Sequence, residues 1–138
     1  MAKLNFAIQT TQTASASSDK WRRTRGDNQE NVAGSILASD FTALIDDNGV
    51  IPSGVALAEK TGAAGYYVPL AIAANIADQV SLAGFISDQT GVDVDGVDES
   101  GVTVAIRETI VPKYLPVAAQ RVIDSTFPTS GVFVFIKE

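Results

Sequence analysis

The chemically capable groups in this sequence are carboxylates, lysines, arginines and tyrosines. Their spacing limits what they can do. The densest carboxylate run is Asp93-Val94-Asp95-Gly96-Val97-Asp98-Glu99. Acidic side chains gathered around a glycine can offer oxygen ligands to a hard cation such as Ca²⁺. The run lacks the loop spacing and the terminal Glu of an EF-hand, so it reads as a solvated acidic loop, and no metal or other cofactor is expected. Lys60 precedes Gly62 and Gly65, but no Gly-Lys-Ser or Gly-Lys-Thr follows. A β-turn therefore fits better than a phosphate loop.

A second group is basic. Lys20, Arg22, Arg23 and Arg25 surround Trp21. Phosphate binding normally draws on a broader basic surface, so no direct nucleic-acid contact is expected. A protein-docking segment suits these residues better, because Trp and Arg dominate the energetics of protein interfaces. Arg25-Gly26-Asp27 spells an integrin-type tripeptide, which chance and turn formation explain. Tyr66, Tyr67 and Pro69 fit a subunit contact, since Tyr favours interfaces. The competing interpretation is a β-rich virion or surface binding module that recognises carbohydrate through Tyr66, Tyr67 or Trp21. Strand alternation alone would turn one tyrosine inward and the other outward.

The chain has no His and no Cys. That excludes imidazole proton shuttles, serine–histidine and cysteine–histidine catalysis, disulfides and thiolate zinc sites. Catalysis would have to rest on carboxylate, lysine, tyrosine or carboxylate-bound metal chemistry, and no constellation for it is visible. The expectation is a protein that is not an enzyme, with no catalytic residues.

These groups must be held by a body, and the composition permits one. A chain of 138 residues that is 46 % hydrophobic and 19 % charged can bury a single core. The formal charge of −6 is unevenly spread. Residues 1–30 carry five basic residues against three acidic, and residues 31–138 carry five against thirteen. Residues 8–20 form a Ser/Thr/Gln/Ala tract with little apolar surface. Residues 1–31 are therefore expected to be a flexible basic N-terminal arm, and residues 32–138 a β-rich domain. No apolar run is long enough to span a bilayer or to serve as a signal sequence, so synthesis in a host cytoplasm without membrane contact is expected.

Within the body, short β-compatible runs alternate with turn residues. Strands are predicted at 32–37, 55–60, 66–70, 81–86, 102–111 and 131–136. Asp46-Asp47-Asn48-Gly49 and Pro52-Ser53-Gly54 are turn signals. Residues 40–45 are ambiguous between strand and helical turn. Residues 116–125 carry Val117, Ala118, Arg121 and Val122 at helical spacing behind a proline, and predict a short helix. The run Val132–Ile136 is apolar on both faces, which predicts a central or interface-covered strand. The fold class is thus mainly β, or β-dominated α+β, with one short helix near the C-terminus.

The stretch Ile51-Pro52-Ser53-Gly54-Val55-Ala56-Leu57-Ala58-Glu59-Lys60-Thr61, followed after a short turn by Tyr66-Tyr67-Val68-Pro69-Leu70, resembles the head decoration proteins of lambda-like tailed bacteriophages. Ala83-Gly84-Phe85-Ile86, Gly101-Val102-Thr103-Val104-Ala105-Ile106 and Val111-Pro112-Lys113-Tyr114-Leu115-Pro116 resemble later pieces of that family in the same order. The resemblance covers about residues 32–138. It implies a homotrimer on the outer surface of the virion capsid, bound to the major capsid protein at local three-fold positions of an expanded head. There it would stabilise the shell against internal DNA pressure. The N-terminal arm would order on binding and add to a capsid-protein sheet. The arm matches the family in character and not residue by residue; residue type alone makes Lys20, Arg22, Arg23 and Arg25 the groups expected to meet acidic capsid residues, with Trp21 as anchor.

Overall fold

The structure, a computed structural model, describes residues 19–23 and 29–138. Glycine and proline turns cut the chain into short extended runs. The strands are β1 (Glu30–Leu37), β2 (Val50–Ile51), β3 (Ala56–Glu59), β4 (Tyr67–Pro69), β5 (Gly84–Ile86), β6 (Val92–Asp93), β7 (Glu99–Ile110) and β8 (Val132–Phe135). The fold is mainly β and largely antiparallel. Helix among the described residues is limited to short 3-10 turns at Ala38–Leu44, Ile76–Asp78, Pro112–Tyr114 and Ala118–Val122. The predicted C-terminal helix is the last of these. It is only five residues long, with no side-chain cap at Val117. That is too short to repay α-helix nucleation, so the tighter turn is formed instead.

β7 is the spine. Its sequence is rich in β-branched residues, and it is the longest strand described. Along one edge it pairs antiparallel with β1, from Leu37 opposite Glu99 to Glu30 opposite Arg107. On the other edge Phe85 of β5 lies opposite Ala105, and β8 then runs parallel to it, with Val132 opposite Arg107 and Phe135 opposite Ile110. The β1 register slips between Glu30 and Asn31, opposite Arg107 and Ala105. Such a bulge shifts the side-chain alternation by one. Val102 and Val104 accordingly face one apolar cluster, whereas Ala105 and Ile110, five residues apart, share the other.

The main sheet has the order β1-β7-β5-β3-β4. It curls until its two ends meet. The Ser35 N–H donates to the Gly65 carbonyl at 2.9 Å, and Ser35 and Tyr66 form a bridge. Gly34 permits this approach: a Cβ there would stand 2.4 Å from Tyr67 Cε2. Pro69 is tolerated opposite Leu57 because β4 has a ladder on one side only. The cluster holding Ile36, Leu57, Ile86 and Val104 lies on one face of the sheet. On the other face Ala56, Phe85 and Ala105 are covered by Leu115, Ile123 and Trp21. A buried glutamine ties this cover down. Gln120 accepts from the Ala56 N–H at 2.8 Å and donates to the Ala56 and Leu70 carbonyls at 3.1 and 3.0 Å.

Two expectations need correction. β8 is not central: among the described residues it pairs with β7 alone, and its outward residues Val132 and Val134 are 62 % and 61 % exposed. Only Phe133 and Phe135 turn toward the core. The boundary of the arm is also displaced. Glu30 and Asn31 belong to β1, and Asp19–Arg23 packs into the body.

Candidate binding surface

The basic segment that the sequence marks for a partner is built into the sheet. Arg22 bridges to Ile110, the Arg23 N–H donates to the Thr109 carbonyl at 2.9 Å, and the Val111 N–H donates to the Trp21 carbonyl at 2.6 Å. Asp19–Arg23 thereby extends the β1 edge along the end of β7 as a strap. Trp21 is fully buried. It stacks on Phe85 at 5.6 Å between ring centroids, and its indole N–H donates to Ser53 Oγ at 3.1 Å. It also lies against Gly54, where φ is +93° and a Cβ would come within 2.7 Å of the indole Cδ1. Trp21 is therefore a core residue of its own chain and is not an exposed anchor for a partner. The correction has a physical cause: a bulky aromatic beside two arginines fills the space that Gly54 and Ala56 leave open.

Arg22 is turned inward as well. It donates to Asp19, to Ser87 Oγ at 2.7 Å and to the Ser87 carbonyl at 3.0 Å, and stands 3.8 Å from Glu108 Oε2. Glu108 is buried. Its Oε1 accepts from the Thr109 N–H, while Oε2 has no hydrogen-bond partner. Burial pushes the Glu108 carboxyl above its ordinary range, against the opposing pull of the Thr109 N–H and Arg22. A raised carboxyl contributes stability that is fully present below its unfolded value and is lost as pH rises through its folded value. Titration of urea midpoints from about pH 4.5 to 7 should thus show wild type losing stability relative to Glu108→Gln. A constant difference across that window would mean that Glu108 carries no such load.

The remaining residues of the basic group are more accessible. Arg23 pairs with Glu138, and Lys20 is exposed. Arg25 lies outside the described residues. Tyr66 donates to Glu99 Oε2 at 2.9 Å, and this bond is the first cause of its raised pKa. Tyr67 packs on Gly34 and its pKa is raised mainly by burial. The two tyrosines and Pro69 therefore lie where β4 meets β1, while Trp21 belongs to the opposite cluster. The three aromatics do not form one platform.

The acidic loop is arranged as a turn. The Asp93 carboxylate accepts from the Asp95 N–H at 3.0 Å, and Gly96 takes φ +74°. Asp95 packs on Gly49, which brings the turn carrying Asp46 and Asp47 beside it. No group of three or more acidic residues positioned to hold a metal ion occurs among the described residues.

The sequence did not announce the opposite end of β7. There Lys113, Arg121 and Lys137 line a cleft of about 460 Å³ with the carboxylates of Asp124 and Glu138 and the apolar Val122, Phe135 and Ile136. Together with Arg107, they are all the cations of residues 31–138 except Lys60, which pairs with Asp40. The three cleft cations are far apart in sequence, and only the return of β8 beside β7 collects them. Searches of family models, curated proteins and solved structures found no match to this chain.

Proposed function

We propose that this chain is a non-enzymatic capsid decoration protein. In this reading it binds the major capsid protein on the exterior of an expanded phage head, at local three-fold positions, as a homotrimer. It stabilises the shell against internal DNA pressure without touching nucleic acid or membrane. One observation carries the most weight in favour. The strap Asp19–Arg23 is bonded to the end of β7, so the polar, Thr-rich sequence before it departs from a fixed point on a rigid β body. A tethered polar segment can add to the edge of a partner sheet through its backbone. Three such segments on one trimer would bind with avidity, which offsets the entropy of ordering each one. Four of the five pieces that carry the family resemblance fall on adjacent strands, β3, β4, β5 and β7, and the fifth, residues 111–116, holds the 3-10 turn that follows β7.

The test is co-sedimentation with expanded, undecorated heads, comparing the full chain with a version that lacks residues 1–18. The cut spares the strap, because a deeper one would remove Trp21 from the core. Saturable pelleting of the full chain and much weaker pelleting of the shortened one is the expected result. Equal pelleting would remove the role of the N-terminal segment, and no pelleting of either would sink the decoration reading.

A further inference from the structure

Charge is sorted along β7. At its start stand Asp46, Asp47, Asp93, Asp95, Asp98 and Glu99, around a turn whose tip presents Val97, 46 % exposed. At its end stand Lys113, Arg121 and Lys137, all exposed, with Val122 58 % exposed in the same cleft. No carboxylate among the described residues forms an ion pair with any of these three cations. Asp124 and Glu138 also line the cleft: Asp124 is hydrogen-bonded to Thr126 and feels the charge of Lys137, and Glu138 pairs with Arg23. The twelve residues of β7 separate the two ends by roughly 35 Å at about 3.3 Å per residue. One molecule cannot fold its own acidic turn into its own cleft.

We propose that the cleft receives the Asp95–Asp98 turn of a second copy of this chain. Asp95 and Asp98 meet Lys113, Arg121 and Lys137, and Val97 covers the apolar wall at Val122 and Phe135. The occupant is argued from charge and shape. The turn is acidic with an apolar tip; the cleft carries three cations against two carboxylates, Asp124 and Glu138, that are already engaged by Thr126 and Arg23, and has an apolar wall of a size that accepts a few side chains. Such a contact is head-to-tail: each copy offers a different surface to each neighbour, and the arrangement closes into a ring when the rotation permits. The inference rests on the homotrimer reading above and names the surfaces that would form it.

Analytical ultracentrifugation without capsids tests this apart from head binding. Wild type at low salt should sediment as three times 14.4 kDa and dissociate at high salt, where charge attraction is screened. Lys113→Glu with Arg121→Glu should raise the dissociation constant at least about tenfold, and so should Asp95→Lys with Asp98→Lys. The four-fold variant should recover the assembly. A mixture of the two double variants should form a pair heavier than either alone, because each retains one native surface. Far-UV circular dichroism confirms that every variant is folded. The proposal is overturned by a wild type that stays monomeric, by double variants that keep the full mass, or by a folded four-fold variant that does not reassemble. Loss of head binding by the cleft variant with its mass unchanged would instead assign the cleft to an acidic segment of the capsid protein.

Discussion

Trp21→Ala should lower the unfolding free energy by about 3–5 kcal/mol, read from the shift in urea midpoint at constant slope. The indole fills the space above Gly54 and Ala56, stacks on Phe85 and supports Arg22, whose guanidinium carbon lies 4.9 Å from the ring centre. Its removal leaves a cavity that the glycine-lined floor cannot close, and it removes the indole hydrogen bond to Ser53 Oγ. Trp21→Phe should recover part of the loss by restoring the stack on Phe85 without the indole hydrogen bond. Were alanine to cost less than about 1 kcal/mol, the value typical of an ordinary site, the strap would be a loosely held appendage and the body would be complete without it.

The second large effect concerns Gln120. Replacement by Leu keeps the bulk but removes both amide functions. The Ala56 N–H loses its acceptor and the Leu70 carbonyl loses its donor, while the Ala56 carbonyl keeps the Leu70 N–H. Each orphaned buried group costs about 1–3 kcal/mol, so the pair amounts to about 2–6 kcal/mol. Amide exchange supplies a local readout. Protection of the Ala56 N–H should fall further in Gln120→Leu than that of the Val104 amide, which lies two strands away in the sheet. Uniform loss of protection would show that the glutamine supports the fold generally and does not specifically clamp β3 to the turn at Ala118–Val122.

Much of the sheet is readable from local pattern, because strand runs here are short, β-branched and bounded by Gly or Pro. The predicted strand at 102–111 is observed at Glu99–Ile110, and those at 55–60 and 66–70 appear as Ala56–Glu59 and Tyr67–Pro69. What local pattern does not carry is pairing. Nothing in Val132–Phe135 indicates that the strand lies parallel to β7 at an edge, since register and neighbour are set by distant residues. The two-residue strands β2 and β6 are too short to stand out from turns. Trp21 is the clearest failure of local reasoning. It sits in a polar, basic stretch, and a single buried aromatic leaves no periodic trace. The cleft was illegible for a related reason: Lys113, Arg121 and Lys137 have no motif spacing and are brought together by the fold alone.

The burial of Trp21 also makes the molecule self-reporting. The chain has one tryptophan, placed at the joint between strap and body, stacked on Phe85 and close to Arg22. Its fluorescence is therefore a single-site signal. A dry, packed indole emits at shorter wavelength than a wet one, so the emission maximum follows whether the strap is seated, with no label attached. Ring stacking at the same point should give a near-ultraviolet circular dichroism band that vanishes when the strap lifts. If that band disappears before the far-ultraviolet strand signal during denaturation, the strap leaves a still-folded sheet. If both change together, strap and sheet form one cooperative unit.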